Sequence, residues 1–236
     1  MSNALRIARR FCGPPNSGNG GYVSGLLARR MAQPCQVTLH APPPLDTDLQ
    51  LQPHGDGLQL KLGEQLLASA RPYQFQLEMP PAPTLQEAEQ AQTQFDGIRH
   101  HDLPGCFVCG TNREPGDGLR IFTGCVCGHT DQVAALWQPG ADLADEDGKV
   151  ASEFLWAALD CPGFFAVKPV SGLALLGRYS ARIEQPVAPG ESLIVSAWAI
   201  AHQGRKHDAG SALYRSNGEL VACAEATWIS IAAVTS

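Results

Sequence analysis

The sequence predicts an α+β fold in which two curved antiparallel sheets are each wrapped around a central helix. Three observations predict it. A short apolar helix pattern followed by several strand patterns occurs twice along the chain. Both halves carry a strand bounded by proline, Val37 to Pro42 and Tyr179 to Pro186. Both also carry a Gly-Glu turn running into leucine and alanine: Gly63-Glu64-Gln65-Leu66-Leu67-Ala68 and Gly218-Glu219-Leu220-Val221-Ala222. Together these echoes describe a repeat of about 130 residues, each copy too small to bury both faces of its elements alone. The expected division is a degenerate first copy at 1–80, a linker with a surface helix at 81–104, and a second copy at 105–236.

Each element has its own signal. The Gly/Pro/Asn/Ser segment from Phe11 to Gly21 opens a short helix, with Tyr22, Val23, Leu26, Leu27 and Met31 apolar at helical intervals. Strands are expected at Cys35–His40, Leu49–Gln52, Leu58–Leu62, Leu66–Ala70 and Tyr73–Met79, several with the alternation of a half-buried sheet. After a proline cluster, Thr84 with Glu87 three residues on forms a capping box for a polar helix to Phe95. Strands at Leu119–Phe122 and Gln132–Trp137 lead into an acidic turn. A helix with Val150, Phe154, Leu155, Ala158 and Leu159 on one face follows, ending near Pro162-Gly163. Strands at Leu173–Ile183, Ser192–Ala201, Gly210–Tyr214 and Leu220–Ile231 close the chain.

Composition excludes several classes. The chain has 236 residues, 44% hydrophobic and 17% charged, with a net charge of −6 that repels polyanions and argues against nucleic-acid binding. Its apolar runs fall far short of the ~20 residues a spanning helix needs, and Met1 to Phe11 lacks the apolar block of a secretion signal. A cytoplasmic protein is expected, without membrane partner, its eight cysteines reduced or metal-bound and not a disulfide frame.

With the elements in this order, the residues resemble the hotdog-fold superfamily, in particular the thioesterase branch that includes the phenylacetate-pathway enzymes. Cys106-Phe107-Val108-Cys109-Gly110 followed by Gly118-Leu119-Arg120-Ile121 is similar to the leader before the first strand of many members. Ala151 to Asp160 resembles their central helix, usually His-Gly-Gly, six residues and an acid, and Gly204 to Ala222 resembles their last hairpin. Residues 105 to 232 carry most of the likeness, and 11 to 79 a weaker copy. The departures are complementary. Ala151-Ser152-Glu153 keeps no glycine but is followed by Asp160, whereas Asn19-Gly20-Gly21 keeps the glycines and has Ala28 where the acid would be.

In the family, one helix N-terminus polarises the thioester carbonyl and an acid of the neighbouring helix acts on the acyl carbon. The resemblance therefore implies an acyl-CoA thioesterase with one composite site of Gly20, Gly21 and Asp160, with Asn19 or Ser17 orienting water or the carbonyl. Backbone N–H groups at a helix start suit a developing oxyanion, and glycine would admit the acyl group. A carboxylate on an otherwise apolar helix calls for a role, because burying it is unfavourable. Arg205 and Lys206, in a hairpin turn with His202 and His207, are candidates for the coenzyme A phosphates, with a plain solvated turn as their alternative. Trp156, Tyr22 and the neighbouring Phe154, Phe164 and Phe165 are candidates for substrate contact, with plain core as their alternative. No cofactor is expected beyond coenzyme A as part of the substrate, and a homodimer is expected.

Three other readings stand beside this one. A non-catalytic acyl-CoA or lipid-binding protein would have the same fold. A zinc-containing module would use Cys106, Cys109, Cys125 and Cys127, although the second pair has one intervening residue where a zinc ribbon has two. A hydratase would need Asp, four residues, then His on the helix, but Phe165 stands five after Asp160; Asp96 to His101 has the spacing in the linker, where it reads as coincidence.

Overall fold

The computed structural model describes residues 4–129 and 131–231. Its eleven strands are β1 (Ala4–Arg6), β2 (Cys35–Leu39), β3 (Asp48–His54), β4 (Gly57–Leu62), β5 (Gln65–Pro72), β6 (Gly124–Cys125), β7 (Gln132–Trp137), β8 (Ala174–Ile183), β9 (Leu193–Gln203), β10 (Lys206–Arg215) and β11 (Leu220–Ser230). Four α-helices, α1 (Gly20–Ala28), α2 (Leu85–Gln92), α3 (Ser152–Ala158) and α4 (Asp160–Ser171), lie between them. Among the described residues no helix is long and apolar enough to cross a membrane.

All strands join one sheet in the order β1-β3-β4-β5-β2-β8-β11-β10-β9-β7-β6, every pair antiparallel. The order contains the repeat. A first strand, a helix and four further strands give β1-β3-β4-β5-β2 in one half and β7-β9-β10-β11-β8 in the other. The halves meet edge to edge where β2 pairs with β8 through only Val37↔Tyr179 and Thr38↔Arg178. The sequence echoes fall on equivalent places: β2 and β8 are the proline-bounded strands, and Gly63 and Gly218, both at positive φ, turn β4 into β5 and β10 into β11.

Strand parity shows what each face covers. Along β7, Val133 and Ala135 point toward the central-helix layer and Ala134 points away. The outer face of the second half is covered by α2, whose Ala88 and Ala91 pack into a cluster with Ile194, Trp198 and Tyr214. The helix expected on the surface thus closes a second apolar layer. Its capping box is present, with Thr84 Oγ1 accepting from the Glu87 N–H and Glu87 accepting from the Thr84 N–H.

Three expected elements differ. Residues 73–79 form no strand; prolines at 72, 80, 81 and 83 remove backbone donors, and Phe75 and Leu77 pack onto the outer cluster instead. Leu119–Phe122 is not a strand either, because Arg120 has φ 54°, which breaks an extended run. The Leu119 and Ile121 N–H groups bond to the carbonyls of Phe107 and Val108, fastening the Cys106–Cys109 turn. The second central helix does not end at Pro162-Gly163. Pro162 has no N–H for the Ala158 carbonyl, so the helix breaks there, but proline is tolerated in the first turn of the new helix α4. At the break, the Tyr179 and Ser211 hydroxyls bond to the Trp156 and Leu159 carbonyls at 2.9 and 2.7 Å.

Candidate active site

Helices α1 and α3 cross in close contact because α1 presents Gly21 and Gly25 on one face, four residues apart. A Cβ on Gly25 would lie 2.6 Å from Glu153 Cα, and one on Gly21 would lie 2.5 Å from Asp160 Cβ and 2.8 Å from the Trp156 carbonyl oxygen. This crossing delivers the start of α1 to the start of α4. Asn19 is the N-cap of α1, its Oδ1 accepting from the Tyr22 N–H at 2.9 Å. That bond turns Asn19 Nδ2 toward Asp160 Oδ2, to which it donates at 2.8 Å, and the Gly21 N–H donates to the same oxygen at 2.9 Å.

The other oxygen, Asp160 Oδ1, is buried with no partner among the described residues. Burial raises the Asp160 carboxyl to about 7; the Gly21 N–H opposes the rise, neighbouring Cys106 adds to it, and Asn19 opposes it. Asp160 faces a mainly apolar cavity of about 290 Å³. Its walls are the loop from Gly13 to the start of α1, the end of β2 from Leu39 and the residues after it to Pro43, residues 101–109, the first turns of α4, and facing stretches of β8 and β11. Gly20 lines it as the first residue of α1, where a backbone N–H has no acceptor within its own helix. A Cβ there would meet Leu176 at 2.8 Å and Leu39 at 3.1 Å, two side chains that also line the cavity.

Asn19, Gly20, Gly21 and Asp160 are therefore neighbours. The reason expected for Gly21 needs correction: it admits the partner helix, not an acyl group, and its N–H is already taken by the carboxylate. Ser17 lines the cavity with its hydroxyl donating to the Gly18 carbonyl at 3.3 Å. Of the aromatic candidates only Phe164 lines this cavity. Tyr22 is buried away from it, stacked on Phe11 at 4.3 Å and packed against Phe107 and Phe154. Trp156 lies edge-on to Tyr179 and lines a different groove, with Arg29, Met31 and Ile183. Lys206 lies on a separate open surface with Arg178 and Glu225. Arg205 is outside the cavity lining, its Nε donating to the Ser230 carbonyl, whose neighbours Ile229 and Ile231 line the wall. His202 and His207 contact each other through their Nδ1 atoms at 2.8 Å, away from the cavity.

Cys125 and Cys127 are exposed whereas Cys106 and Cys109 are buried, so the four do not assemble as a zinc ribbon. Instead Cys161, the residue after Asp160, brings its sulfur 3.6 Å from that of Cys106. Nothing in the spacing pairs Cys161 with a turn fifty residues earlier; the fold alone does. His101 also lines the cavity, with Nε2 against the Cys109 carbonyl and Nδ1 accepting from the Leu103 N–H. Both ring nitrogens are used, and Asp96 sits in a single 3-10 turn, not on a catalytic helix.

The equivalent position in the other half is filled differently. Glu153, where Gly21 has its counterpart, is buried and pairs with Arg29, the residue after Ala28. Arg29→Met is expected to lower stability by about 1–3 kcal/mol, below the full penalty of an unpaired buried charge because Arg29 is half-solvated. Chemical denaturation of the variant measures it, and Glu153→Gln in the same background should recover part of the loss.

Topology and helix pairing define a fused double hotdog. Solved structures share it over nearly their whole length. A protein described as a thioesterase from Novosphingobium aromaticivorans DSM 12444 superposes with TM-score 0.62 at 14% identity, covering 97% of this chain and 95% of that one. The TesB protein of Mycobacterium avium subspecies paratuberculosis gives 0.61 at 15% identity, with 97% and 92% covered. A protein described as thioesterase II from Thermobifida fusca YX gives 0.62 at 14% identity, with 98% and 94% covered. No family model matches the sequence, and no curated protein matches it.

Proposed function

We propose that the chain hydrolyses an acyl-CoA thioester at a single composite site, with Asp160 acting on the acyl carbon. One observation carries this reading: a buried carboxylate with one unpartnered oxygen belongs to a residue that lines an apolar cavity beside the N-terminus of α1. Its other oxygen is fixed by Asn19 and the Gly21 N–H, so the free one is held in place before substrate arrives. Bound with its carbonyl oxygen at the Gly20 N–H, the thioester would present its carbonyl carbon to Oδ1 or to a water that Oδ1 deprotonates. Either route passes the developing charge to an oxyanion favoured by the helix start, breaks the C–S bond and releases coenzyme A as the thiol after protonation. Direct attack leaves an acyl anhydride on Asp160 that a water then hydrolyses to the free acid and the regenerated carboxylate, and the water route gives the free acid directly. The small cavity favours a short or aromatic acyl group. Arg205, beside the β11 wall, is the cation assigned to the phosphates of coenzyme A.

The test is thiol release from a panel of short-chain, medium-chain and aryl acyl-CoA esters by the purified protein near neutral pH. Turnover of at least one ester is expected. Tight binding of acyl-CoA without turnover would replace this reading with the non-catalytic carrier.

A further inference from the structure

We propose that Cys106, Cys109 and Cys161 bind one zinc ion, with the fourth coordination position open to the cavity that contains Asp160. The three sulfurs, all buried, lie within 4.8 Å of one another. A tetrahedral zinc with bonds of about 2.3 Å to sulfur holds its thiolates about 3.8 Å apart, so the Cys106–Cys161 separation of 3.6 Å already has the required size. Asp160 is not among the groups at that spacing, and the ring nitrogens of His101 are occupied. All three cysteines line the cavity, which leaves the vacant vertex to a water or a small ligand.

The backbone of the turn carrying the first two cysteines is fixed on several sides. Gly110 closes the turn with its N–H on the Cys106 carbonyl at 2.9 Å, where a Cβ would come within 2.3 Å of that oxygen. The N–H groups of Leu119 and Ile121 hold the turn from outside. Cys161 completes the set from the first turn of α4, where the helix dipole favours negative charge. Soft thiolate ligands in this geometry select zinc over magnesium or calcium.

Metal binding is read on the full chain without substrate, so its outcome is independent of whether thioesters are hydrolysed. The protein, reduced with a phosphine, is titrated with zinc against a chromophoric chelator and separately loaded with cobalt(II). One ion per chain and a thiolate-to-cobalt charge-transfer spectrum of tetrahedral type are expected, and a small added thiol should shift that spectrum through the open position. Cys106→Ser and Cys161→Ser should each weaken binding at least about a hundred-fold, beyond what loss of an outer-shell partner produces. Cys125→Ser and Cys127→Ser should leave it unchanged. Failure of the folded, reduced wild-type chain to bind the ion overturns the proposal, as does wild-type affinity in Cys161→Ser. So does an intact mass, without reductant, lower by two hydrogens in a form that reduction does not convert into a metal-binding one.

Discussion

Asp160→Asn is expected to lower thioester hydrolysis by about a thousand-fold while the protein stays folded, a loss in the range attributed to a positioned acid–base group. The substitution keeps the volume and one carbonyl oxygen. That oxygen can accept from Asn19 Nδ2 and the Gly21 N–H, which both donate to Oδ2 in the wild type. The amide nitrogen then takes the place of Oδ1, which has no partner to lose. What disappears is a lone pair able to attack or to take a proton from water. Thiol-release kinetics with matched circular dichroism spectra make the comparison, and a rate within a few-fold of wild type would remove Asp160 from the chemistry.

Gly25→Ala should destabilise the protein although alanine is the better helix former by about 1 kcal/mol. The added methyl group would stand 2.6 Å from Glu153 Cα and 3.0 Å from Trp156 Cβ. Backbone on the opposing helix cannot swing aside as a flexible side chain can, so α1 and α3 must separate. Overpacking of this kind costs about 1–3 kcal/mol or more, which outweighs the propensity gain. A fall in melting temperature of about 2–4 °C for each net kcal/mol lost is expected for a chain of this size. Gly105→Ala is the control: its Cβ would meet nothing within 4 Å, and its melting temperature should not move. Equal stability of the two variants would show that the helix crossing is looser than described.

Most of the fold is written in local patterns. The alternation of β4 and the recurrence of a Gly-Glu turn are short-range signals, and each marks an element that the sheet uses twice. Residues 73–79 also alternate, but alternation describes a segment that buries every second residue, whether or not a neighbouring strand exists to bond with it. The continuation of α4 past Pro162 was hidden because proline breaks a helix or starts one, and only the bond it withholds from Ala158 tells which. That Asn19, Gly20, Gly21 and Asp160 are neighbours was legible because two imperfect copies of one motif each lacked what the other kept. That Tyr22 and Trp156 lie away from the cavity was not, since helical periodicity identifies a buried face without saying what lies against it. The glycine pair Gly21 and Gly25, four residues apart, was the available sign that one such face meets another helix.

The ion pair of Arg29 with Glu153 occupies the place that mirrors Gly21 and Asp160. In a pair of identical subunits, one gene writes both places, and any substitution appears in each. Joining the copies in one reading frame lifts that constraint: codon 153 can change while codon 21 stays as it is. A buried salt bridge in one place and an amide–carboxylate contact in the other is the kind of divergence such independence permits. One half of the duplication is then free to become scaffold for the other.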